Sequence, residues 1–179
     1  MSGGGMRAWS RLVLTGALAV TATATAVGCR NSEAATAAVP SVAPAQANKE
    51  AVRRSFDAWA AHTGGPFELL DEHATWTVTG KSLVSKTYPD REAFMREVIR
   101  PFNARLKEPL TPVVRGIHAD GDMVVVLFDA SGVALDGQPY RNTYSWHLRM
   151  RQGRVVEVTA FFDSIAFNDL WTRVAPASG

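Results

Sequence analysis

The stretch that decides the fold is Gly137 to Ser164, GQPYRNTYSWHLRMRQGRVVEVTAFFDS. It reads as two long antiparallel strands joined at Arg151-Gln152-Gly153 and ending in one carboxylate, Asp163, directly after two phenylalanines. Successive side chains of a strand point to opposite faces. Tyr140, Asn142, Tyr144, Trp146, Leu148 and Met150 therefore share one face, and Arg141, Thr143, Ser145, His147 and Arg149 share the other. An aromatic sheet face with a few fixed polar groups suits the wall of an enclosed small-molecule pocket. The parity of the second strand is ambiguous: Val155, Phe161 and Asp163 alternate in step with Glu157, so a bulge there would change which residues point inward.

Working backward, Val113–His118 and Met123–Ala134 are also strand-like, and Asp120-Gly121, Asp136-Gly137 and Gln152-Gly153 separate the four runs. Asp-Gly between apolar runs is a strong hairpin signal, because such tight turns need positive φ. An antiparallel meander follows. Before it the chain uses helices. Asn48 is placed to cap a helix to about His62, with Val52, Phe56, Trp59 and Ala60 at helical spacing. A helical turn near Phe67–Asp71, a strand near Ala74–Thr79 and a helix capped by Asp90 come next, and Pro101 should kink or restart that helix. Ser164 is placed to cap a last short helix carrying Ile165, Phe167, Leu170 and Trp171. Helices first and a meander afterwards is an α+β pattern, with helices packed on one face of a curved sheet.

The amino-terminal segment lies apart from this fold. Arg7 and Arg11 precede the uncharged run Leu12–Val27, which is shorter than the ~20 apolar residues of a spanning helix and reads as an export signal over 1–28. Cys29, the single cysteine, stands where the new amino terminus would be. Ala26-Val27-Gly28-Cys29 resembles the lipobox of bacterial lipoproteins, although Ala26 stands where Leu is usual and Val27 where Ala or Ser is usual. That resemblance implies lipidation of Cys29 and a cell-envelope location through a lipid anchor only; ordinary secretion is the alternative. One cysteine allows no internal disulfide and no cysteine-built metal site. Removing 1–28 takes two of 19 basic residues and no acidic one, leaving 17 against 17, so no basic surplus points to a nucleic-acid partner. Residues 29–47 are rich in Ala, Ser, Thr and Pro and read as a disordered tether, leaving 48–174 as one domain and 175–179 as a tail.

Several motifs of that domain occur in a familiar order: Trp76-Thr77-Val78-Thr79-Gly80, Tyr88 with Asp90-Arg91-Glu92-Ala93-Phe94, the turn at Asp120, Gly137 to Tyr144, and Gly153-Arg154-Val155-Val156-Glu157 to Phe162-Asp163. Together they resemble the SnoaL-like branch of the nuclear transport factor 2 (NTF2-like) superfamily, which also holds ketosteroid isomerase and limonene epoxide hydrolase. The resemblance spans about Asn48 to Trp171. It implies a conical barrel: a strongly curved antiparallel sheet wrapped on N-terminal helices around an apolar cavity, with frequent homodimerisation through the outer sheet face. One such fold serves isomerases, cyclases, hydrolases and non-catalytic binders, so activity rests on the cavity groups.

Asp163 matches the position of the acid/base aspartate of the family's polyketide cyclases. Enclosed by Phe161, Phe162, Tyr144 and Trp146 it would be desolvated and suited to proton transfer; otherwise it caps the helix after it or pairs with an arginine. The hydrolases' Arg-x-Asp pair is missing from Met123–Ala134 and Tyr140–Met150, and the isomerases' protonated acid partner is not evident. Asn142 and Tyr144 can orient a ligand carbonyl or hydroxyl, and Trp76, Tyr88, Phe94 and Trp146 can line the cavity, although each also suits plain core or strand bonding. His73, His118 and His147 show no metal-ligand spacing, and neither a metal nor a cofactor is expected. Three functions stay open: binding of a small apolar molecule without catalysis, cofactor-independent acid/base catalysis by Asp163, and assembly through the outer face around Thr143, Ser145 and His147.

Overall fold

A computed structural model describes residues 42–177. The export signal, Cys29 and most of the expected tether lie outside them. The first helix, α1, covers Val42–Ala60 and so begins six residues before Asn48. The end of the expected tether is helical because Ala45, Gln46 and Ala47 are good helix formers, Pro44 falls in the first turn where its missing N–H is harmless, and Gln46 donates to Glu50 one turn on at 3.0 Å. Val52 and Phe56 of α1 are fully buried, and each contributes about 1.5–3 kcal/mol of apolar transfer free energy.

A 3-10 turn over Pro66–Leu69 leads into β1, Leu70–Val78, and a two-residue strand β2, Thr87–Tyr88. The next helical stretch opens with α2, Arg91–Phe94, where the Asp90 carboxylate accepts the Ala93 N–H at 2.7 Å. It widens to a π turn over Met95–Ile99 and resumes as α3, Arg100–Asn103. Pro101 explains the widening. An uninterrupted α-helix would drive its ring into the carbonyl four residues back, whereas here the Arg100 N–H reaches five residues back to Met95.

The meander follows as β3 (Leu106–Asp120), β4 (Met123–Ala134), β5 (Pro139–Arg151) and β6 (Arg154–Phe162), and α4, Ser164–Arg173, closes the chain. The strand order is β2-β1-β6-β5-β4-β3. All pairings are antiparallel except β1 with β6, which run parallel, so the sheet is mixed. Strands so far apart in sequence are joined by the whole helical segment and meander, which makes a parallel arrangement sterically accessible. β3 runs longer than its apolar core, taking in Pro109 and Pro112; it is an edge strand, the place in a sheet where proline is tolerated because half of the N–H groups have no neighbour to bond. Gly132 permits the edge to close in, since a Cβ there would sit 2.9 Å from the Glu108 carbonyl oxygen.

Along β5 the expected alternation holds: Tyr140, Asn142, Tyr144, Trp146, Leu148 and Met150 are all buried. Gln152 and Gly153 both take positive φ, 50° and 75°, as a type I′ turn demands. The register slips between Arg149 and Met150, so that Met150 pairs with Val155 and Arg149 with Glu157. Val156 is the extra residue of a bulge, and beyond it Val158 and Ala160 face inward while Phe161 turns out, 46% exposed.

Candidate ligand cavity

The inner face of the bent sheet and the helices over it enclose a cavity of about 420 Å³, within the usual range for ligand pockets. Trp76 and Val78 of β1, Tyr144 and Trp146 of β5, and Ala160 and Phe162 of β6 form one wall. Trp59 of α1, Phe67, and Met95, Val98, Ile99 and Phe102 of the π-widened helix form the other. The exposed lining residues Glu68 and Asn103 mark its opening. Met95, Val98 and Ile99 stand at i, i+3 and i+4 and so share the helix face that looks on the hollow.

The aromatic rings are held by one another. Trp76 lies flat on Phe94, centroids 4.1 Å apart and 11° between planes, and stands edge to face with Trp146 at 5.0 Å. Trp59 stacks on Trp146 at 5.9 Å, and Phe128 stacks on Tyr144 at 4.9 Å behind the wall. Each such pair adds about 0.5–1.5 kcal/mol to the burial of its rings. Among the lining residues only Glu68 and Tyr144 carry acidic groups, and burial pushes the Tyr144 hydroxyl well above its ordinary pKa, with Tyr140 beside it acting in the same direction.

Trp76, Phe94, Tyr144 and Trp146 thus meet at the cavity, whereas Tyr88 and Asn142 lie elsewhere. Tyr88 pairs with Trp76 across the β1–β2 ladder, donates to the Val84 carbonyl at 2.8 Å, and is pushed up to about 12 by burial and by Glu97. Asn142 spends its amide on the protein: Nδ2 donates to Tyr140 Oη and to the Asp163 carbonyl, each at 2.9 Å, and Oδ1 accepts the Asp163 N–H at 2.9 Å.

The enclosure expected for Asp163 is not what the chain forms. The β6 bulge turns Phe161 outward, and Asp163 is exposed, one residue beyond the end of the strand. Asp163, and not Ser164, is the N-cap of α4: its Oδ1 accepts the Ile165 N–H at 2.8 Å and the Ala166 N–H at 3.4 Å. Asp and Ser cap about equally well, so composition alone left a one-residue choice. Asp163 borders a second, shallower cleft with Val113, Asp129, Ala130, Ser131, Arg141, Asn142 and Thr143. Sequence reasoning passed over Trp59, Phe67, Val98 and Phe102 as cavity residues. The stripe of α1 already contained Trp59, and Met95, Val98, Ile99 and Phe102 recur at i, i+3, i+4 and i+7, the spacing that was the available signal for Val98 and Phe102.

The SnoaL-like domain family matches this chain over residues 52–158. The chain belongs to that family. Among solved structures, this SnoaL-like chain is similar to Bal32a from a soil-derived mobile gene cassette, at 22% identity over 71% of this chain and 98% of that one, with a TM-score of 0.59. An NTF2-like protein from Burkholderia thailandensis is 19% identical over 69% of this chain and 95% of its own, TM-score 0.57. TerC, crystallised with polyporic acid, is 20% identical over 70% of this chain and 98% of its own, TM-score 0.57. These likenesses establish the NTF2-like fold. Among curated proteins, none matches.

Proposed function

We propose that this SnoaL-like domain binds a small, largely apolar molecule in the cavity between sheet and helices, without proton chemistry on it. The observation that carries the reading is the pairing of an aromatic hollow of about 420 Å³ with the position of Asp163 outside its lining. A general acid or base must reach the reacting atoms, and the carboxylate at the expected position is occupied in holding the first turn of α4. TerC, a neighbour of the same fold, was crystallised with a small molecule, polyporic acid.

Native mass spectrometry of the protein purified gently from its host tests this. A retained apolar molecule is the expected result, and a uniformly empty protein that also fails to take up a hydrophobic dye would overturn the reading.

Export and anchoring belong to the same proposal and rest on the sequence: signal cleavage before Cys29 and lipidation of its thiol would tether the domain at the cell envelope. Cys29→Ser should then move the protein from the membrane to the soluble fraction. Pairing of two copies is proposed through the outer sheet face, where Leu127 and Phe161 stand exposed in line with Ser145. A Leu127→Lys change should lower the sedimentation coefficient if it forms.

A further inference from the structure

Among the described residues, Trp76 Nε1 is the one buried side-chain nitrogen or oxygen with no hydrogen-bond partner. Buried polar groups are almost always satisfied, and an exception calls for an explanation. The ring is not free to turn away, because Phe94 lies flat against it and Trp146 meets it at 85°. Trp76 is also a cavity-lining residue. Nε1 lies just beneath the cavity surface and is closed to water, so an acceptor reaches it only from a molecule in the cavity that eases the neighbouring rings apart.

Proton accounting places a second donor on the same wall. Asn142 uses both amide hydrogens, on Tyr140 Oη and on the Asp163 carbonyl, and its orientation is fixed because Oδ1 accepts the Asp163 N–H. Tyr140 Oη thus receives one hydrogen bond and must place its own proton. Tyr140 is 3% exposed, does not line the cavity, and has one acceptor within reach, Tyr144 Oη at 2.9 Å. With Tyr140 donating to it, the Tyr144 hydroxyl proton has no acceptor in the protein, and Tyr144 does line the cavity. Burial holds that phenol protonated far above neutral pH, so it remains a donor. Both rings stand edge-on to Trp146, with centroids 5.0 and 6.3 Å from it.

We infer that the bound molecule carries an uncharged oxygen acceptor, a carbonyl or ether within an otherwise apolar body, and that Trp76 Nε1 and Tyr144 Oη are the donors that hold it. A carboxylate is disfavoured because no Lys, Arg or His lines the cavity to offset its desolvation. The inference rests on the cavity being a ligand site, as proposed above, and adds the chemistry that the site selects.

Fluorene and fluorenone share one ring skeleton and differ by a carbonyl, which makes them suitable probes. Fluorenone should bind about a hundredfold more tightly, the effect of two added hydrogen bonds at about tenfold each. Its binding should move the Trp76 indole N–H resonance downfield, whereas fluorene should not. Trp76→Phe and Tyr144→Phe should each shrink the ratio of fluorenone to fluorene affinity, a ratio in which any change that the altered wall makes to both compounds alike cancels. If Trp76→Phe does not fold, the indole resonance of the unmodified protein and the Tyr144→Phe titration decide the matter. Equal binding of the two compounds with an unmoved indole signal would overturn the inference and leave the cavity reading standing; binding of neither would overturn both.

Discussion

The Asn142 side chain holds the Asp163 backbone from both sides, donating to its carbonyl and accepting from its N–H, each at 2.9 Å. The β5–β6 ladder has ended one step earlier, at Tyr144 opposite Phe162. Asn142 thus extends the sheet by side chain where backbone pairing stops, and it sets the chain direction from which α4 departs. Replacing it should be costly. Asn142→Ala takes a donor from the buried Tyr140 hydroxyl and both partners from the half-buried Asp163 N–H and carbonyl, at about 1–3 kcal/mol for each group that water cannot reach. Denaturant unfolding should show a lower midpoint with an unchanged slope. A loss below about 0.5 kcal/mol would mean that the amide bonds are replaced by water at no cost.

Asp163 is predicted to act through its capping bonds. Asp163→Asn and Asp163→Ser can make the same bonds to the Ile165 and Ala166 N–H groups and should unfold close to the parent, whereas Asp163→Ala should lose about 1 kcal/mol. All three should bind a cavity ligand as the parent does. Loss of binding or of turnover in Asp163→Asn with stability intact would instead restore the carboxylate to a chemical role.

How far the sequence could foretell this follows from the range of the interaction concerned. The alternation of β5 was legible because a strand's period is local and every second residue from Tyr140 to Met150 obeys it. The tight turns were legible through their glycines for the same reason. The partnership of β1 with β6 was not, since Trp76 opposite Val158 is a contact between segments some eighty residues apart and no local pattern encodes it. The site divides along the same line. Trp76, Tyr144 and Trp146 reach the cavity by strand parity alone, while the fate of Asp163 turned on one bulged residue, Val156, and on which of two neighbouring residues caps α4. A single inserted residue reverses inside and outside, and composition does not announce it.

The three tyrosines of the chain, Tyr88, Tyr140 and Tyr144, are all pushed above the ordinary value of 10.0, in each case first by burial. A phenol with a raised folded-state pKa binds its proton more tightly folded than unfolded. Its stabilising contribution is therefore complete below the unfolded value near 10 and is lost as pH rises through the folded value. Tyr88 is pushed up to about 12, and Tyr140 and Tyr144 are displaced in the same direction. Ultraviolet titration should show little tyrosinate at pH 10 in the native protein, then a steep rise above it that coincides with loss of the near-ultraviolet dichroism of the packed tryptophans. A reversible titration centred at 10 with dichroism retained would show that at least one of these hydroxyls is exposed to solvent.

Ala160 offers the most direct control on the cavity itself. It lies on β6 opposite Trp146 and beside Val78 of β1, is 1% exposed, and contributes to the wall where the hollow already provides space. Enlarging a residue in a packed core costs about 1–3 kcal/mol because neighbours must move, but a side chain that grows into an empty apolar space gains burial without displacing anything. Ala160→Leu should therefore keep or slightly raise the melting temperature while it lowers the affinity for fluorene about tenfold or more. Calorimetry and dye displacement on the same sample separate the two effects. A large fall in melting temperature would place Ala160 against packed atoms, and unchanged affinity in a stable variant would mean that ligands bind at some other surface of the domain.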